Sequence, residues 1–87
     1  MPSVTRDQVE AEILSILKRV SGRPIEPTAQ SEVVADLGFD SVAVLELVAE
    51  LEEYFNITVP LNNLAQIKTV SQMVDHIKLL CDRRVEA

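Results

Sequence analysis

The sequence predicts an all-α fold, a four-helix bundle of three main helices and one short helix with a long loop after helix one. Apolar residues recur at helical spacing in three separate segments of the chain. A Thr-x-x-Gln pattern, which can close the first turn of a helix, precedes the first and the last of these segments. Gly22, Pro24 and Pro27 lie between the first two segments, where they favour an irregular connection.

The first helix is predicted near residues 5 to 20. Its apolar face consists of Val9, Ile13, Ile16, Leu17 and Val20. Thr5 and Gln8 have the spacing of a capping box, in which each side chain accepts a hydrogen bond from the backbone of the other residue. Gly22 and Pro24 stop the helix, and a turn within residues 31–36 is expected to order the second half of the loop.

The second helix is predicted to follow a glycine turn. Gly38 supplies a turn conformation that other residues adopt only with strain, and either Asp40 or Ser41 then caps the helix. The inward stripe consists of Val44, Leu47, Val48, Leu51 and Phe55. Three acids, Glu46, Glu50 and Glu53, fall on the other side. Pro60 is expected to end the helix, because its ring disfavours helical geometry at the residue before it.

The remaining helices follow Pro60. Residues 61–67 permit only a short helix of one or two turns. Thr69 and Gln72 repeat the capping-box spacing, and an apolar stripe then continues through Cys81, to a predicted end near Arg83. The chain is therefore expected to form one domain over residues 1–87, with its core at about 5–83.

Charge and composition exclude several function classes. The 87-residue chain has a formal net charge of −6, which opposes binding to the phosphate backbone of nucleic acids. Residues 24–67 contain acids but neither Lys nor Arg. With one cysteine, Cys81, and one histidine, His76, the chain cannot form an internal disulfide or a Cys/His zinc site. No apolar run is long enough for a membrane span, so a cytoplasmic protein is expected.

The sequence shows no clear catalytic site. His76 would have to serve Ser41 as a base in a fold with little room for a buried triad, and we expect it on the surface of the last helix. Acids on a solvated helix face lack the contrasting environments that paired catalytic carboxylates need. Cys81 lies on an apolar stripe, which is typical of a buried, inert thiol. We therefore predict no catalytic residues and no metal site.

The segment "GFDSVAVLELVAELEEYFNITVP" resembles the signature of acyl carrier proteins in the phosphopantetheine-binding superfamily. The matching positions are Gly38, Asp40, Ser41, Glu46, Leu47, Leu51, Glu52, Glu53, Phe55, Ile57, Val59, Pro60, Thr69 and Val70. The similarity covers roughly residues 5 to 80. It implies that Ser41, next to Asp40, carries 4'-phosphopantetheine from coenzyme A through a phosphodiester. The positive end of a helix dipole suits that phosphate.

The resemblance further implies a carrier rather than an enzyme. A phosphopantetheinyl transferase would modify the chain, and the thiol of the added arm would hold acyl groups as thioesters. Acyl-transferring or acyl-activating enzymes would dock their basic patches on the second helix. The candidate contacts are Asp40, Val42, Glu46, Glu50 and Glu53. An acyl chain is the expected cargo, in a groove whose candidate lining is Val44, Leu45, Val48, Leu64 and Ile67. The carrier is expected to be a monomer.

Two departures from the family pattern bear on the pathway. Val42 stands where Leu or Met is usual, and residues 61–68 lack the acids common in central fatty-acid carriers. Fatty-acid, specialised lipid and polyketide synthesis therefore all stay open. Two alternatives remain: an aminoacyl or peptidyl carrier loaded by an adenylating enzyme, and a non-covalent acidic adaptor in which Ser41 only caps a helix. Ser41→Ala separates a carrier from an adaptor.

Overall fold

The computed structural model describes residues 5–22, 24–60 and 66–86. These ranges contain three α-helices and the loops that flank them. The helices are α1 (Arg6–Ser21), α2 (Ser41–Phe55) and α3 (Val70–Glu86). Within these ranges the only β-type pairing is one isolated bridge, between Glu32 and Thr69. The all-α class and the three main helices are thus confirmed. The predicted short helix over residues 61–67 lies mostly outside the described residues.

Helices α1 and α3 both begin with the predicted capping box. At α1, the Gln8 amide donates to Thr5 Oγ1 at 3.1 Å and the Thr5 amide donates to Gln8 Oε1 at 2.8 Å. At α3, the Gln72 amide donates to Thr69 Oγ1 at 3.1 Å and the Thr69 amide donates to Gln72 Oε1 at 3.0 Å. Each box pairs two backbone amides with side-chain oxygens three residues away. Both helix starts are therefore fixed by four-residue patterns.

The core is built from one apolar stripe of each helix and from the loop between α1 and α2. Its buried residues are Val9, Ile13, Ile16, Leu17, Val33, Leu37, Phe39, Leu47, Val48, Leu51, Phe55, Val59, Val70, Met73, Val74, Ile77 and Cys81. The burial of Cys81 confirms the prediction made from its place on the stripe. Helix α1 packs against both α2 and α3, so it forms the centre of the packing.

The second half of the α1–α2 loop is ordered, as the sequence predicts. The Val33 amide donates to the Lys68 carbonyl at 2.9 Å, and the Val70 amide donates to the Ser31 carbonyl at 2.9 Å. Within the loop, the amide of Glu32 donates to the carboxylate of Asp36 at 2.7 Å. These bonds hold the loop against the start of α3, and they fix the direction from which the chain enters α2.

Helix α2 ends at Phe55, earlier than the predicted stop at Pro60. Asn56 adopts the left-handed conformation (φ 55°, ψ 53°), which asparagine tolerates better than most residues. The Ile57 amide then donates to the Glu52 carbonyl at 3.1 Å, and the Val59 amide donates to Glu52 Oε2 at 2.8 Å. Asn56 therefore ends α2, and the hydrogen bonds to Glu52 hold the loop that follows the helix.

Candidate functional site

The approach to α2 is set by Gly38 and Phe39. Gly38 has φ 74°, a conformation that costs other residues free energy, and its amide donates to the Val34 carbonyl at 3.1 Å. The Phe39 amide donates to the Val33 carbonyl at 3.2 Å, and the Phe39 ring is buried. The turn and the anchored ring together fix where the chain begins α2.

Asp40, rather than Ser41, caps α2. Its backbone is extended (φ −86°, ψ −177°), and its Oδ1 accepts a hydrogen bond from the Ala43 amide at 2.8 Å. The Asp40 carbonyl accepts from the Val44 amide at 2.9 Å. The carboxylate therefore pairs one of the amides that a helix start leaves free. Of the two caps that the sequence left open, the structure selects Asp40.

Ser41 is the first residue of α2, and its side chain is exposed. Because Asp40 performs the capping, the Ser41 hydroxyl is not needed for it. Within residues 5–22, 24–60 and 66–86, that hydroxyl has no hydrogen-bond partner. A primary hydroxyl is thus displayed at the positive end of a helix, where a phosphate group is electrostatically favoured.

An apolar groove lies directly beside Ser41. Its volume is about 480 Å³, and it is lined by Val34, Phe39, Asp40, Ser41, Val44 and Leu45. The rims are open to solvent, since Val34 is 63% exposed and Leu45 is 54% exposed. Val42, the next residue of the helix, is 64% exposed. Exposed aliphatic side chains around one hydroxyl indicate a surface that covers a ligand or meets a partner.

The residues predicted to line the acyl groove lie in different places. Val44 and Leu45 line the groove beside Ser41, whereas Val48 is buried in the core. Ile67 is half-buried and packs against the core. Leu64 lies outside the described residues. The structure therefore brings two of the predicted lining residues to the serine.

The acids predicted to bind partners have different surroundings. Glu46 and Glu53 are exposed, and within the described ranges neither forms an ion pair. Glu50 is paired with Arg19 of α1, whose Nη2 lies 3.3 Å from Glu50 Oε2. Arg19 is not predictable as a partner of Glu50 from the sequence, because nothing local relates residues 31 positions apart. Its place among the basic residues in the last turn of α1 was the one available signal.

The described ranges contain neither a metal site nor a membrane-spanning helix. They hold no group of three or more His, Cys, Asp or Glu side chains placed to bind a metal ion. No helix in them has the length and apolar content of a bilayer span. His76, expected on the surface, is half-buried on α3, with its Nε2 buried and unpaired.

Comparison with known proteins gives one consistent result. The family described as "Phosphopantetheine attachment site" matches residues 11–77. A "Probable acyl carrier protein" of Caulobacter vibrioides is 39% identical over 69 residues, which are 79% of this chain and 77% of that protein. The "Meromycolate extension acyl carrier protein" of Mycobacterium leprae is 31% identical over 98% of this chain and 75% of its own length.

A solved structure agrees with these relatives. It is described as that of an acyl carrier protein from Mycobacterium tuberculosis, and it superposes with a TM-score of 0.76 at 31% sequence identity. The match covers 82% of this chain and 96% of that one. The helix arrangement is therefore shared with a protein that is described as an acyl carrier protein.

Proposed function

The chain belongs to the phosphopantetheine attachment site family and is an acyl carrier protein, and we propose that Ser41 is the residue to which its 4'-phosphopantetheine is attached. The observation that carries this proposal is the exposed Ser41 hydroxyl, which is not needed as a cap because Asp40 caps α2. A phosphodiester at that oxygen would lie at the positive end of α2. When attached, the group supplies a terminal thiol that holds acyl groups as thioesters.

The residues around Ser41 fit such a group. The groove that Val34 and Leu45 line also includes Ser41, and it offers apolar surface on which a flexible chain can lie. Asp40 uses Oδ1 on the Ala43 amide, so its charge is fixed beside the serine. On this proposal the protein is the substrate of a phosphopantetheinyl transferase, and it performs no catalysis itself.

The partner enzymes would meet the exposed face of α2. Glu46 and Glu53 are exposed acids without an ion pair in the described ranges, and Val42 is an exposed aliphatic residue on the same helix. Asp40 adds a fourth contact next to the serine. Acidic groups of this kind steer a basic partner into encounter more than they add affinity, and they permit rapid release. A carrier that visits several enzymes needs that behaviour.

For the cargo, we propose a fatty acyl chain handled by chain-extending enzymes. The relatives that align over nearly the whole chain are named for acyl carriage, among them carriers of meromycolate extension. Their names favour an acyl group over an aminoacyl group. We further propose that the protein is a cytoplasmic monomer, which size-exclusion chromatography and cell fractionation would test.

The attachment is tested by intact-mass measurement after incubation with coenzyme A and a broad-specificity phosphopantetheinyl transferase. We expect one phosphopantetheine adduct on the wild type and none on Ser41→Ala. Ser15, an exposed serine of α1, gives a matched control, and Ser15→Ala should keep the adduct. An unmodified but folded wild type, after several transferases, would overturn the proposal and leave the non-covalent acidic adaptor.

A further inference from the structure

A second shallow cleft lies between α1 and α2, on the side of α2 that carries the acids. Its volume is about 470 Å³, and its lining residues are Arg19, Val20, Glu46, Ala49, Glu50 and Glu53. Val20 and Ala49 supply apolar surface, while three acids and one base surround it. The surface expected to receive basic partners therefore contains a positive charge, which comes from α1 and not from α2.

Arg19 remains available to a partner in spite of its contact with Glu50. The two side chains meet through one pair of atoms, Nη2 and Oε2, at 3.3 Å, and they are 59% and 42% exposed. A guanidinium carries five N–H donors, and the contact with Glu50 uses only the Nη2 group. The ion pair reduces the net charge of both side chains, and Arg19 is the more exposed of the two. A partner therefore meets the acids Glu46 and Glu53 with the guanidinium of Arg19 beside them.

We propose that Arg19 is a specificity-determining residue of the docking surface, and that the enzymes this carrier serves place a carboxylate opposite Arg19 within an otherwise basic patch. This inference rests on the proposed function, because it needs partner enzymes that dock on α2. Charge complementarity supports it. A uniformly basic patch would bring like charges together at Arg19, and such contacts exclude wrong partners.

The position of Arg19 is compatible with a docked enzyme that also reaches Ser41. Glu50 follows Ser41 by about two and a half helical turns, which is about 13 Å along the axis of α2. Arg19 contacts Glu50 directly. A typical protein–protein interface covers about 800 Å² on each partner, so an enzyme centred near Ser41 can contact Arg19 as well.

The test uses charge reversal on the full-length protein carrying its arm. Arg19→Glu is compared with Lys18→Glu, which makes the same charge change at an exposed neighbour that forms no ion pair within the described ranges. The acyl-activating and acyl-transferring enzymes of the same organism are first assayed with the wild-type carrier. The enzyme that acts fastest on the wild type is then used as the probe. Two quantities are measured at low ionic strength. One is kcat/KM, and the other is the dissociation constant of the complex between the enzyme and the carrier without an acyl group.

The two kinds of partner surface predict opposite signs. If the partner places a carboxylate opposite residue 19, Arg19→Glu lowers kcat/KM and weakens binding by roughly tenfold, while Lys18→Glu changes either by less than about twofold. Converting the opposing partner carboxylate to lysine should then restore activity with Arg19→Glu. If the partner patch is uniformly basic, Arg19→Glu strengthens binding, and this result overturns the inference.

Two further results also overturn it. These are equal effects of Arg19→Glu and Lys18→Glu, and no effect of Arg19→Glu on a protein whose thermal unfolding is unchanged. Failure of the proposed function looks different, because the wild type then takes no adduct at Ser41 or is accepted by none of the enzymes. An adduct and a working enzyme, with no loss in Arg19→Glu, reject only the role of Arg19.

Discussion

The start of α2 differs from the starts of α1 and α3 in how its first amides are paired. Helices α1 and α3 use the same device, a Thr whose hydroxyl accepts from the amide of a Gln three residues later. Helix α2 uses the carboxylate of Asp40, which accepts from the Ala43 amide. The residue after each cap is also different, since only α2 continues with an exposed serine, Ser41.

The difference shows how a helix start can support the fold and still present an exposed hydroxyl. In α1 and α3 the hydroxyl oxygen is the cap, so it is occupied by the helix. In α2 the capping is done one residue earlier by Asp40, and the Ser41 hydroxyl stays outward. The positive end of α2 remains next to that hydroxyl. Hydroxyl side chains at helix starts can therefore have unlike roles.

The largest expected effect separates stability from modification. Ser41→Ala should abolish attachment of the arm, yet change the free energy of unfolding by less than about 0.5 kcal/mol, because the residue is exposed and caps nothing. Thr5→Ala should show the reverse, with about 1 kcal/mol lost and full attachment. Denaturant unfolding and intact mass measure the two properties. A loss of stability near 1 kcal/mol in Ser41→Ala would show that its hydroxyl caps the helix after all.

The next effect concerns the turn that leads into α2. Gly38 has φ 74°, so Gly38→Ala should destabilise the protein by about 1–2 kcal/mol. Thermal or denaturant unfolding measures this. Gly22 also has a positive φ, 69°, with open space around the position of a Cβ. Gly22→Ala is therefore the matched control for backbone strain alone, and only Gly38→Ala should also slow the modification of Ser41.

The smallest effect tests the cap itself. Asp40→Ala should cost about 1 kcal/mol, whereas Asp40→Asn should cost only a few tenths, because asparagine caps helices about as well as aspartate. The rate of attachment then separates capping from charge. Equal slowing in both variants would assign the role of Asp40 to its charge, and slowing in Asp40→Ala alone would assign it to the geometry of the helix start.

Features with a local cause were predictable from the sequence. The two capping boxes depend on residues three positions apart, and both are present as predicted. The buried stripe that includes Cys81 follows from helical periodicity. The predicted end of α2 at Pro60 is wrong, because the left-handed conformation of Asn56 ends the helix at Phe55.

Features with a distant cause were not predictable in this way. The choice between Asp40 and Ser41 as cap depends on the backbone of Asp40, which follows a turn bonded to the loop before it. The sequence alone showed a middle segment without bases, and so suggested an acidic face of one sign. The structure adds Arg19 to that face, because α1 packs beside α2.

The sequence by itself determined the helices, their inward stripes and the serine at the start of α2, because periodicity and capping act over a few residues. Only the tertiary structure decided which neighbour caps α2, which aliphatic residues surround Ser41, and which acid of α2 is paired with a base. These depend on the packing of α1 and of the loop against α2. Packing joins residues far apart in the chain, so its results cannot be read from local patterns.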